Sequence, residues 1–76
     1  MVRVKFFASL REEAGRGEVE VDPEQAKTAA DAWRIATDGR PFPERALVAI
    51  NLDYVDADAP IRSGDEVAFF PPVTGG

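Results

Sequence analysis

A single helical stripe, set in a chain otherwise patterned for strands, limits the folds open to these 76 residues. Ala29, Ala32, Trp33 and Ala36 recur at i, i+3, i+4 and i+7, the spacing of one buried helix face. Elsewhere the period is two. Val2, Val4 and Phe6 alternate with Arg3 and Lys5, and Glu18-Val19-Glu20-Val21 alternates again before Asp22-Pro23 stops it. Leu47 to Ile50, the short Tyr54-Val55 and Val67 to Phe70 read as three further strands. Thr28 can cap the helix, with Asp31 three positions on near its positive end, and Gly39 suits its close. Its small residues bring helix and sheet together, and Trp33 fills most of the gap. Ser9-Leu10-Arg11-Glu12 has capping-box spacing, and Gly15 can close a short helical turn with Leu10 and Ala14 on one face. Arg40 to Glu44 is an irregular loop, Asn51-Leu52-Asp53 a turn, Asp56 to Pro60 an acidic loop, and Ile61 a core anchor before the turn at Ser63 to Glu66. The order is β, helical turn, β, α, β, β, β. One main helix on one face of a five-stranded mixed sheet satisfies it, an α+β architecture.

Such a short chain makes one domain with a modest core. It has no cysteine, so disulfides cannot staple the fold and the core must hold it. It has no histidine either, which removes thiol nucleophiles, imidazole bases and Cys/His zinc sites. Asp53, Asp56 and Asp58 lack the glycine turn and bidentate glutamate of a calcium loop and read as a solvated loop, so no metal is expected. Nine basic and fourteen acidic residues leave a net charge of −5. Nucleic acid is disfavoured by that sign, and a partner with a basic docking face is favoured. No apolar run approaches a membrane span, and the N-terminus lacks the pattern of a signal peptide. A cytoplasmic location is expected.

The chain closes on Phe69-Phe70-Pro71-Pro72-Val73-Thr74-Gly75-Gly76. Residues 1–70 are expected to form the globule and 71–76 an extended tail. Pro71 and Pro72 fix φ and favour a projecting path, and the six residues after Phe70 reach about 20 Å. Glycine can enter a narrow slot because it has no Cβ. These features point to the carboxylate of Gly76 as the reactive group, with Gly75, Thr74, Val73, Pro72 and Pro71 inserted into a partner's active site. By alternation, Val67 and Phe69 face the helix while Ala68 and Phe70 face away. If the first and fifth strands are neighbours, Phe7, Ala68 and Phe70 form an exposed apolar patch beside the tail, a docking surface. Arg11 either contacts an acidic partner surface or pairs with a nearby glutamate.

Two segments resemble the small, sulfur-carrier subunit of molybdopterin synthase: Phe6-Phe7-Ala8-Ser9-Leu10-Arg11-Glu12-Glu13-Ala14-Gly15, and Ser63-Gly64-Asp65-Glu66-Val67-Ala68-Phe69-Phe70-Pro71-Pro72-Val73-Thr74-Gly75-Gly76. Val48-Ala49-Ile50-Asn51 is similar to that family's third strand. The main helix departs from the family, which usually carries leucines where this chain has alanines and Trp33. The resemblance implies a ubiquitin-like β-grasp, with the first and last strands side by side and parallel in mid-sheet. It also implies that an ATP-using activating enzyme adenylates Gly76, that a persulfide donor converts the adenylate to a thiocarboxylate, and that the sulfur passes to a pyranopterin in the large synthase subunit. A hetero-oligomer with that subunit is expected, with no cofactor bound by the carrier and no catalysis by the chain alone. Alternatives sharing the tail are a carrier for thiamine, cysteine or tRNA thiolation, and a ubiquitin-like protein modifier. A non-covalent ubiquitin-like module with an idle tail is a third. The segment Phe6 to Glu12 favours the molybdopterin assignment, because the thiamine carrier usually has a short first hairpin with Asn-Gly.

Overall fold

A computed structural model describes residues 1–72. Five strands and two helices follow in the order β1 Val2–Phe6, α1 Ala8–Ala14, β2 Glu18–Val21, α2 Ala29–Ala36, β3 Leu47–Ile50, β4 Asp53–Val55 and β5 Glu66–Phe70. The sheet runs β2-β1-β5-β3-β4. β5 is therefore central, parallel to β1 on one side and antiparallel to β3 on the other. Its apolar residues on both faces suit that place. The parallel register pairs Val4 with Val67 and Phe6 with Phe69, so their side chains share one face. That face, with Val2 and Val48, is fully buried under α2.

The expected stripe is the one that packs: Ala29, Ala32, Trp33 and Ala36 are all buried. Trp33 meets Phe6, Phe42 and Phe69 edge-on, with ring centroids 5.5, 5.6 and 5.1 Å away. Its indole N–H donates to the carbonyls of Arg40 (3.0 Å) and Pro41 (3.3 Å). The irregular loop is thus tied to the core through a group that would otherwise be buried unsatisfied. Leu10 is buried, Ala14 packs against the same core, and Gly15 closes α1 at φ 74, a left-handed conformation that suits glycine.

The start of α1 differs from expectation. Ser9 does not cap it; Phe7 is the extended N-cap residue and no side chain caps the helix. The Phe7 N–H is held by the Phe69 carbonyl at 3.1 Å, so β5 fixes where β1 stops and the helix begins one residue later. β4 and β5 each begin one residue earlier than expected, at Asp53 and Glu66.

At α2 the capping box is complete. Thr28 Oγ1 accepts from the Asp31 N–H at 3.2 Å, and Asp31 Oδ2 accepts from the Thr28 N–H at 3.3 Å and the Lys27 N–H at 3.0 Å. The next two helix N–H groups, of Ala29 and Ala30, donate to the carbonyls of Ala59 and Ala57. The acidic loop thereby supplies backbone acceptors to the helix start. The Lys27 N–H bond foremost, with the Arg34 guanidinium and the Thr28 N–H, holds the Asp31 carboxyl below the ordinary aspartate range, against a partial opposing effect of burial.

Two outcomes follow from this core. Trp33→Ala should cost about 3–5 kcal/mol, against a total of about 4–11 kcal/mol for a chain of this length. A urea titration followed by circular dichroism should show a large fall in midpoint. Because the Asp31 carboxyl is depressed in the folded state, its contribution is present above the unfolded value and lost as pH falls through the folded one. The stability gap between the native chain and Asp31→Asn should be full at neutral pH and close below about pH 4.

Candidate functional site

The helix-free face of the sheet is divided between charge and apolar surface. On one half, Arg3 lies 3.3 Å from Glu18 and 3.9 Å from Glu66, and Lys5 lies 3.2 Å from Glu66, an ion-pair ladder across β2, β1 and β5. On the other half the register places Lys5, Ala68, Ala49 and Tyr54 in one row across β1, β5, β3 and β4. Ala68 and Ala49, though buried, are small and make a low floor. Around it stand Phe7, Phe70, Tyr54 and Leu52, enclosing a hollow of about 370 Å³.

Phe7, Ala68 and Phe70 come together as expected. The Phe7 and Phe70 rings stack with centroids 4.7 Å apart and planes 9° from parallel. Phe7 is 41 % exposed and Phe70 half-buried, while Ala68 forms the floor instead of the exposed surface. Pro71 and Pro72 follow Phe70 directly, so the chain leaves the sheet beside this pair. Val73, Thr74, Gly75 and Gly76 lie outside the described residues.

Arg11 is exposed, and among the described residues it makes no ion pair; the expected glutamate partner is absent there. Its guanidinium lies over Gly17 instead, where a Cβ would stand 3.0 Å from the guanidinium carbon. It lines a second, shallower hollow with Lys5, Phe7 and Glu18. No group of three or more acidic, His or Cys residues suited to a metal occurs among the described residues, and no helix there is long and apolar enough to cross a membrane.

Leu52 and Tyr54 are members of the apolar patch that sequence patterning missed. Tyr54 is 71 % exposed and lies 6.3 Å from Phe70, centroid to centroid. Leu52 is 86 % exposed and sits at φ 73, following Asn51 at φ 50. Two positive φ values are what a tight two-residue hairpin turn demands, and leucine is costly there. A polar clamp imposes the conformation. The Asn51 side chain donates to Asp65 Oδ1 at 2.9 Å and accepts from the Glu66 N–H at 3.0 Å, while the Asn51 N–H donates to the Glu66 carbonyl at 2.8 Å. The one available signal is alternation within the strand: Val55 packs against the core, so its neighbour Tyr54 faces the other way.

Leu52→Gly should relieve the left-handed strain and lose little burial, raising stability by up to about 1 kcal/mol after glycine's greater unfolded-state freedom. Thermal or urea unfolding of the two proteins gives the sign.

Comparison with known proteins agrees with this geometry. The chain is 41 % identical to the molybdopterin synthase sulfur carrier subunit of Escherichia coli, aligned over all of both chains. Among solved structures it is similar to the small archaeal modifier protein 1 of H. volcanii, at 30 % identity and a TM-score of 0.74, covering 95 % of this chain and 97 % of the other. It also shares its fold with a chain from the complex of subunits 1 and 2 of the molybdopterin-converting factor from Helicobacter pylori. There the identity is 23 % and the TM-score 0.64, over 99 % and 97 % of the two chains. The ubiquitin-like β-grasp that the resemblance implies, with β1 and β5 adjacent and parallel, is the architecture observed. The ThiS family matches residues 4–76, nearly the whole sequence, and this chain belongs to that family.

Proposed function

We propose that the protein is a sulfur carrier in molybdenum cofactor biosynthesis, working as the small subunit of molybdopterin synthase. The observation that carries this reading is the end-to-end match with the E. coli protein of that name. The geometry suits it. β5 is held by hydrogen-bonded neighbours on both sides and runs straight into Pro71-Pro72, with an apolar surface at the point of exit.

Gly76 is the sulfur-bearing residue in this proposal. An α-carboxyl is ionised at neutral pH, and a carboxylate is a poor electrophile. An activating enzyme therefore joins it to AMP from ATP, releasing pyrophosphate. The terminal sulfur of a persulfide donor then displaces AMP to form an acyl disulfide, and a second thiol cleaves its S–S bond, releasing the thiocarboxylate and leaving a disulfide on the donor. This soft nucleophile needs no cysteine in the carrier, and the chain contains none. Val73, Thr74 and Gly75 carry it into the large subunit, where it adds sulfur to the pyranopterin. Phe7, Ala68 and Phe70 dock the globule on that partner, with Arg11 at the margin. ATP is consumed by the activating enzyme and is not held by the carrier, which supplies sulfur and does not catalyse alone.

A second reading draws on the similarity to an archaeal modifier protein: the same adenylate could be passed to lysines of other proteins. Slower-migrating conjugates in cells that vanish on deletion of Gly76 would favour it.

Incubation with ATP, the activating enzyme and a sulfur donor should replace one oxygen by sulfur in the C-terminal peptide, as read by intact and peptide mass spectrometry. One residue added after Gly76 should abolish this loading without altering the unfolding midpoint. Loading of the capped chain without trimming would refute the assignment of Gly76. Phe70→Ala should weaken binding to the large subunit about tenfold or more if the ring anchors the interface, with the fold retained.

A further inference from the structure

The apolar half of the exposed sheet face is concave, and its shape follows from the strand register. The row Lys5–Ala68–Ala49–Tyr54 carries its two smallest side chains in the middle. Strands lie about 4.8 Å apart, so the row spans roughly 14 Å from Lys5 to Tyr54, Cα to Cα. Along β5, Glu66 and Phe70 flank Ala68 on the same face, about 13 Å apart at a rise of about 3.3 Å per residue. After the thickness of the flanking side chains is taken away, the opening is that of one bulky side chain. The Lys5–Glu66 ion pair occupies one side of this opening at 3.2 Å, each charge met by the other. The entrance therefore offers no unmatched charge, and the lining is otherwise apolar apart from the Tyr54 hydroxyl. Opposite, Leu52 is held out of the sheet by the Asn51 clamp at a left-handed φ, a conformation that keeps the wall standing when nothing covers it.

We propose that the Ala49–Ala68 floor is a socket for a single bulky aliphatic or aromatic side chain of the protein that takes up the C-terminal tail. The occupant is assigned to that partner because the socket is continuous with the point of exit. Phe70 forms its wall and is followed at once by Pro71, so a protein engaging residues 71–76 closes over this face. The inference rests on the sulfur-carrier reading and goes beyond it in giving the contact a shape: a protrusion entering a recess instead of two flat surfaces meeting. The two alanines then determine specificity. Enlarging either one fills the recess from within, a steric block that leaves every surrounding aromatic in place.

The test is the affinity of full-length Ala68→Leu and Ala49→Leu for the purified large subunit, measured by calorimetry beside the native chain and Gln25→Ala, an exposed position away from this face. Each filled variant should bind at least about tenfold more weakly, with an unfolding midpoint equal to or above the native one, while Gln25→Ala binds as the native chain does. Two alanine positions are used so that a folded variant is available if one substitution disturbs the strand. Native-like binding by a folded variant would overturn the socket while leaving the sulfur-carrier reading intact. Failure of the native chain itself to bind would overturn both. Sedimentation of the carrier alone adds a further check: a native dimer that Ala68→Leu dissociates would make the occupant a second copy of this chain and overturn the assignment.

Discussion

The register between β1 and β5 is the constraint on which the rest depends. Pairing Val4 with Val67 and Phe6 with Phe69 sends four apolar side chains under α2. A slip of one residue would invert every side chain of β5. Ala68 and Phe70 would then face Trp33, and Val67 and Phe69 would face water. Core and exposed patch are thus two results of a single alignment. The same pairing joins strands from opposite ends of the described chain, so the sheet has no centre until its most distant segments meet. Because β5 lies between β1 and β3, its local opening would break hydrogen bonds on both sides, which makes it costlier to open than either marginal strand.

Much of this was legible because two periods do not overlap. The i, i+3, i+4, i+7 stripe at Ala29 to Ala36 could only be helix, and the alternation in Val2 to Phe6 could only be strand. Phe69 and Phe70 were more informative still. Two adjacent aromatics in a strand must point opposite ways, so one of them had to be outside the core. The failures have definite causes. Ser9 has the right spacing to cap a helix, but the Phe69 carbonyl holds the Phe7 N–H and starts the helix before Ser9 can serve. Spacing describes local competition, and here a tertiary hydrogen bond prevailed. The local sequence marks Leu52 as a turn residue, yet its left-handed backbone depends on Asn51 reaching Asp65 and Glu66, fourteen and fifteen residues away. No local pattern encodes that clamp. Arg11 had glutamates close in sequence, and its resting place over Gly17 depends on the path of the α1–β2 connection.

The apolar surface carries a cost that the remainder of the molecule offsets. Exposed Phe7, Leu52 and Tyr54 beside Phe70 form a face of the kind that promotes association. Arg3, Lys5, Glu18 and Glu66 stand on the same face, and the net charge of −5 opposes the close approach of like copies. The outermost strands are short as well: β4 has three residues and β2 has four, two of them glutamates. Short, charged margins limit edge-to-edge pairing without requiring any change to the patch.

The central place of β5 also determines how the molecule responds to force. A partner that draws residues 71 and 72 away pulls along the strand axis. The ladders to β1 and β3 then bear the load together, in shear, whereas a marginal strand pulled sideways would peel open one hydrogen bond at a time. A globule built this way behaves as a stiff handle: tension applied at Pro71 reaches the whole sheet before it loosens any single bond, and work done on the tail goes into positioning its tip rather than into unravelling its base.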